Sequence, residues 1–276
     1  MKKNKIVVLN PVGGLANRLR AIVSTYIWAN KLNANLIVYW FKDNGMEAGF
    51  YDLFDKPKIH GLTILDGTML DKIRYGNGGK RMLFVPQLYQ RVHFDYRFRN
   101  DNQEKFIKTI RGGRIYVKSC GFIGKYSKEL LHNTFMSIFH LRTHLQKAIE
   151  ERTKDFKKYT IGFHIRRTDN AQSISNSPTY LFLNYARDEM TKHRDCALYL
   201  ASDSKEEKKL FKSNYPNVIT NFEETTRKTR KGIEDAIIDM YSLAKCNVIY
   251  GSFYSSFSEF ASIIGNSKLI VVRNTK

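Results

Sequence analysis

The densest chemistry in this sequence lies in His164-Ile165-Arg166-Arg167-Thr168-Asp169, which closes an apolar run. Alternation along a strand would send His164 and Arg166 to one face, and Ile165 and Arg167 to the other. In a parallel sheet, ligands bind beyond the carboxyl ends of the strands. An arginine there is a ready phosphate clamp, because its guanidinium is always charged and its fork matches phosphate oxygens. Arg166 is the expected clamp. Arg167, facing the other way, is expected to hold the loop by pairing with a carboxylate such as Asp169. Two ordinary surface arginines with a capping aspartate would give the same string, and only the strand-to-loop setting favours the clamp.

Three further segments could contribute. Residues 249–257 read as a strand, a small-residue turn and a helix start. Backbone N–H groups there, with the hydroxyls of Ser255 and Ser256, would form an anion site; a plain helix cap at Ser255 explains the same residues. Asp239 sits between Ile238 and Met240 on an expected helix. A desolvated carboxylate needs donors, and guanine offers a matched pair, although a surface aspartate would fit as well. In Pro11-Val12-Gly13-Gly14-Leu15-Ala16-Asn17-Arg18, Gly13 and Gly14 make a tight turn that lets a ligand approach the backbone. Asn17 and Arg18 would then open a helix facing the ligand. The turn is neither G-x-G-x-x-G nor a P-loop, and simple turn chemistry would also account for it. No Asp-x-Asp occurs, so the usual carboxylate pair for a divalent ion on a diphosphate is missing. No metal site is expected.

The elements that must position these residues alternate regularly after about residue 158. Strands are expected at 159–165, 196–201, 218–221, 247–250 and 269–272. Helices are expected at 178–193, 205–214, 233–245 and 256–264. That alternation implies a parallel, doubly wound sheet. The chain opens the same way, with a strand at 6–9, the glycine turn, a helix at 15–32 and a strand at 36–40. The middle is less regular: loops are expected at 76–79 and 111–113, residues 89–99 lack a period, and a long helix near 128–154 would bridge the halves. The expectation is an α/β chain with two Rossmann-like lobes and a cleft between them, divided into residues 1–155 and 156–276.

Composition narrows the partners. The chain has 276 residues, and 46 Lys plus Arg against 26 Asp plus Glu give a formal charge of +20. Anionic partners are attracted at long range: nucleic acid, anionic lipid or phosphorylated small molecules. No nucleic-acid-binding motif is present, which leaves a nucleic-acid-binding protein as a minor reading. The densest basic run, 227–231, reads as a solvated loop. No apolar run approaches the roughly 18 residues of a membrane span, and residues 6–9 are too short for a signal-peptide core. Cys120, Cys196 and Cys246 lie far apart without C-x-x-C spacing, which suits a reducing cytoplasm. The same charge would suit peripheral contact with an anionic membrane.

Taken in order, the segments resemble the α1,6-/α1,2-/protein O-fucosyltransferase superfamily, which includes bacterial nodulation fucosyltransferases. His164 to Asp169 is similar to the family's H-x-R-R-x-D peptide. Leu200-Ala201-Ser202-Asp203-Ser204 with Asn214-Tyr215-Pro216-Asn217 resembles its second peptide, residues 239–256 its third, and Gly13 to Arg18 its opening turn. The resemblance covers residues 159–265 and 5–35. It implies a GT-B fold, GDP-β-L-fucose as donor, inversion at the anomeric carbon and no required metal or other cofactor. It further implies that Arg166 holds the β-phosphate, His164 helps place the guanosine and Asp239 reads the guanine edge. Ser255 or Ser256 would touch the phosphates, and Asn17 would line the cleft. Arg167, Asp169 and Asp203 would support the site, the two aspartates being the nearest carboxylates for a base. The acceptor would be a glycan or a lipid-linked saccharide, and the lack of an anchor favours a bacterial, cytoplasmic enzyme, possible also at the inner membrane surface. The α1,6 enzymes continue with a lysine and a glutamate where this chain has 170–174, Asn-Ala-Gln-Ser-Ile. Core α1,6-fucosylation is therefore not implied. A different nucleotide-sugar donor is the main alternative.

Overall fold

A computed structural model describes residues 5–76, 82–99, 110, 113–222 and 226–274. Most of the loops expected at 76–79 and 111–113 lie outside them. The chain divides into two compact units, Met1–Arg142 and Thr143–Lys276.

In the first unit, β1 (Lys5–Pro11) leads through the glycine turn into α1 (Leu15–Lys31), and β2 (Ala34–Trp40) follows. Then come α2 (Phe50–Leu53), β3 (Leu62–Asp66), α3 (Met69–Tyr75), α4 (Val85–His93), β4 (Tyr96–Arg99), β5 (Arg114–Ser119) and α5 (Lys128–Ile138). The strands form one parallel sheet in the order β3-β2-β1-β5-β4. The central strands β1 and β5 read as near-continuous apolar runs because helices cover both faces of a parallel sheet. The edge strands carry weaker patterns: in β4 only Phe98 is buried, and in β3 only Ile64.

The second unit begins with α6 (Thr143–Arg152) and β6 (Tyr159–Ile165), then α7 (Ala171–Asn176), α8 (Thr179–Lys192) and β7 (Cys196–Ser202). It continues with α9 (Lys205–Asn214), β8 (Ile219–Thr220), α10 (Arg230–Ala244), β9 (Val248–Ser252), α11 (Ser256–Ile264) and β10 (Lys268–Val272). Its parallel order is β10-β9-β6-β7-β8. β6 is central, and every residue after Tyr159 in it is buried. Ile161, Phe163 and Ile165 pack against Phe182, Leu198, Leu200 and Phe211. Gly162 is required by close approach: a Cβ there would stand 2.9 Å from the Cys246 sulfur.

The bridging helix expected at 128–154 is two helices. The chain between α5 and α6 is extended instead, because Leu141 pairs with Phe54 and Asp55 N–H donates to the His140 carbonyl. Phe139 is buried against Phe50, Phe54 and Phe135. This tertiary pairing overrides local helix propensity. α5 packs on α1 and α6 on α10, so the division falls between Arg142 and Thr143 rather than at 155–156.

Candidate active site

The H-x-R-R-x-D peptide leaves the sheet at the carboxyl end of β6, as expected, and Asp203 at the end of β7 holds it there. One Asp203 oxygen accepts the Arg167 N–H at 2.7 Å; the other accepts the Thr168 hydroxyl at 2.7 Å and pairs with Arg166 Nε at 3.1 Å. Burial alone would raise the Asp203 carboxyl, but the Arg166 charge and the Thr168 and Arg167 donors outweigh it and hold its pKa below the ordinary aspartate value. A carboxylate so fully engaged anchors the loop and is poorly suited to serve as the expected base.

Arg166 also donates to Asp169 through Nε, at 2.8 Å, and through Nη2. The expected pairing of Asp169 with Arg167 is therefore corrected. Asp169 has two arginine partners, Arg166 and, at 3.3 Å, Arg227. Arg227 is a residue that the sequence reading missed, because its basic run looked like a solvated loop. Thr229 caps α10, while Arg230 and Lys231 pair with Glu234 and Asp235 along its first turn. Burial, followed by the nearby Arg166 charge, lowers the Arg227 pKa. Two guanidiniums thus converge on one half-exposed carboxylate.

Arg167 does hold the loop, through other partners. It donates to Glu207 at 2.8 Å, to the Ser177 carbonyl at 2.9 Å and to the Thr179 hydroxyl at 2.9 Å. It ties β6 to the starts of α8 and α9.

His164 is buried, its ring stacked on Phe257 with centroids 4.7 Å apart, and its Nδ1 lies 3.4 Å from the Ser255 hydroxyl. Burial and then the Arg166 charge push its pKa down to about 3, so the imidazole is neutral at physiological pH. On the neighbouring strand β9, the Ser252 hydroxyl accepts from Arg166 N–H at 3.0 Å. Ser255 occupies the N-cap position of α11, yet its hydroxyl makes no capping bond. Before it, Tyr254 adopts a φ of +56° with its side chain exposed, a conformation non-glycine residues occupy at a cost and one that clusters at ligand sites. The short helix α7 braces this turn: Asn170 donates to the Tyr254 carbonyl and Ser173 to the Phe253 carbonyl.

Asp239 stands apart from this group. It is buried, and one oxygen accepts from Arg152 and from the Tyr199 hydroxyl, both at 2.8 Å. The desolvated carboxylate does have donors, and the protein supplies two of them to that oxygen. No residue pattern marked Arg152 as that partner.

The glycine turn belongs to the first unit. Gly13 has φ +85°, which only glycine adopts freely, and Gly14 is the N-cap of α1. Arg18 was expected to face a ligand and instead is fully buried. It donates to the Gly13 carbonyl at 2.8 Å, the Phe41 carbonyl at 2.6 Å and Asp43 at 2.6 Å, and it lies over the Trp40 ring. Its work is to lock the turn to the loop after β2. Asn17 differs: its carboxamide oxygen is buried with no hydrogen-bond partner among the described residues.

Among the described residues, no three His, Cys, Asp or Glu side chains are grouped to hold a metal ion, and no helix is long and apolar enough to cross a membrane.

No family model matches the chain, and no curated protein matches it significantly. Solved structures do. NodZ alpha-1,6-fucosyltransferase soaked with GDP-fucose matches with TM-score 0.61 at 18% identity, over 95% of this chain and 93% of that one; a further NodZ structure is from Bradyrhizobium. A variant of Arabidopsis thaliana FUT1 in complex with GDP gives TM-score 0.67 at 16% identity, covering 99% of this chain and 72% of that one. POFUT1 in complex with GDP gives 0.57 at 9% identity, covering 99% of each. The chain therefore has the α/β fold of the GT-B fucosyltransferases, built from two Rossmann-like lobes.

Proposed function

We propose that this chain is an inverting glycosyltransferase that moves L-fucose from GDP-β-L-fucose to a hydroxyl of a glycan or lipid-linked saccharide. The observation that carries the reading is the convergence of Arg166 and Arg227 on Asp169, one strand away from the uncapped start of α11. As the bond to the sugar breaks, charge grows on the bridging and β-phosphate oxygens. Fixed guanidiniums and the N–H groups at Ser255 and Ser256 stabilise that charge more than they stabilise the intact donor. Arg166 keeps Nη1 without a hydrogen-bond partner among the described residues, and its two N–H donors are the ones we assign to the β-phosphate. Asp169 and Asp203 hold the arginines in place. Neutral His164 can hydrogen-bond the nucleoside without adding charge. The second unit is thus the donor lobe and the first the acceptor lobe. Solved proteins of this fold that hold GDP or GDP-fucose support the donor class.

The test is hydrolysis of GDP-fucose, with and without a chelator, by the wild-type chain and by Arg166→Ala. Loss of one preorganised donor should slow turnover by about 10²–10³, with an unchanged circular dichroism spectrum and no effect of chelator. Full activity in the folded variant would end the proposal. One observation favours a second reading, a donor with another base: Asp239 is taken by Arg152 and Tyr199. Calorimetric titration of GDP against UDP and ADP separates the two.

A further inference from the structure

The outer face of α3 and α4 has an inverted pattern. Helices on a sheet normally bury their apolar stripe and expose a polar one. In α4 the buried residues are Pro86 and Gln90. Gln90 donates to the Arg74 and Gly76 carbonyls at 3.2 Å, tying α4 to the end of α3. Tyr75 and Tyr89 pack inward, against the cluster of Val8, Phe94 and Tyr116. The outward stripe, Val85, Leu88 and Val92, follows the i, i+3, i+7 spacing of one helical face. Leu83 is 83% exposed, Val92 71% and Leu88 65%. On α3, which packs beside α4, Met69 and Leu70 are exposed to a similar degree and no residue is buried. Leu83 and Phe84 also carry φ of +46° and +56°, which bulky L residues rarely adopt, so the turn into α4 displays two large apolar side chains despite a backbone cost. Large apolar side chains exposed together along neighbouring helices mark an interaction site.

The surrounding charge selects the partner. Lys72, Arg74, Arg91, Arg97 and Arg99 lie on α3, α4 and β4. Against these five cations the described residues of these elements and the α4–β4 turn carry two carboxylates, Asp71, which accepts from the Thr68 N–H and hydroxyl, and Asp95, which accepts from Arg114 N–H. A second copy docking here through a two-fold contact would bring the patch's own cations together. An anionic bilayer satisfies both features, taking the apolar side chains at the headgroup boundary and the cations at phosphate level.

We propose that the α3–α4 face is a peripheral docking surface for anionic lipid membranes. The inference does not depend on the transfer reaction, and its test uses no activity. The full chain is floated with phosphatidylcholine vesicles and with vesicles holding about one-third phosphatidylglycerol. Wild type should bind the anionic vesicles at least tenfold more tightly than the neutral ones, and less tightly at high salt. Leu88→Glu with Val92→Glu should weaken binding at least tenfold while the thermal melt is unchanged, since both side chains are exposed. Arg91→Glu is a second variant with the same expected direction. Absence of wild-type binding to anionic vesicles, or equal binding by the Glu variants, overturns the proposal. So does light scattering that shows a wild-type dimer converted to monomer by the Glu pair, since a second copy would then cover the face.

Discussion

Acidification should destabilise this fold more when His164 is present than when glutamine replaces it. In the folded chain the imidazole is buried, and its pKa is depressed from 6.5 to about 3. A group with a depressed folded pKa contributes stability that is fully present above the unfolded value and lost as pH falls toward the folded one. The window therefore runs from about pH 6.5 down to about pH 3. Between pH 7 and pH 5 the unfolded histidine takes up about three-quarters of a proton and the folded one almost none, a loss of about 2 kcal/mol. Glutamine does not titrate, so the His164→Gln variant should lose about 2 kcal/mol less over the same interval. Denaturant unfolding at the two pH values measures the difference. Both tryptophans, Trp28 and Trp40, lie in the first unit, so their fluorescence reports on that unit. Circular dichroism follows helix and strand throughout the chain, the second unit included. Equal acid sensitivity of the two proteins by circular dichroism would mean that His164 takes up its proton without unfolding. The argument for a neutral imidazole beside Arg166 would then fail.

Other outcomes follow from the same contacts. Arg152→Met should cost about 3–5 kcal/mol in chemical unfolding, because it strands the buried Asp239 carboxylate, and Asp239→Asn in the same chain should recover part of that. Arg167→Ala should cost about 2–3 kcal/mol through the lost charge-assisted bonds to Glu207, the Ser177 carbonyl and Thr179; Arg167→Lys should recover less than half, since one ammonium cannot span all three. Gly13→Ala should cost about 1–2 kcal/mol for a side chain in the left-handed region, read by tryptophan fluorescence, with the new Cβ placed 2.8 Å from the Asn17 amide nitrogen.

Much of the second unit is legible in the sequence, because its elements are bounded by strong local signals. Expected and observed bounds agree at both ends for β6, α9 and α11, and the Arg166 loop lies at the strand end where alternation put it. The first unit was harder to read. β3 and β4 bury one residue each, so neither shows a core-facing pattern, and the 128–154 helix is broken by a pairing with residues far away in sequence.

What sequence alone determined was the alternating strands and helices of the second unit and the opening strand, turn and helix of the first, and that an arginine would stand at the carboxyl end of an apolar strand. Those properties depend on near neighbours and on apolar period. Only tertiary structure decided the partners of the charges: Asp169 with Arg166 and Arg227, Arg167 with Glu207, Arg152 with Asp239, and Arg18 turned inward. An ion pair forms where folding brings two side chains together, and that separation in space leaves no trace in the spacing of either residue along the chain.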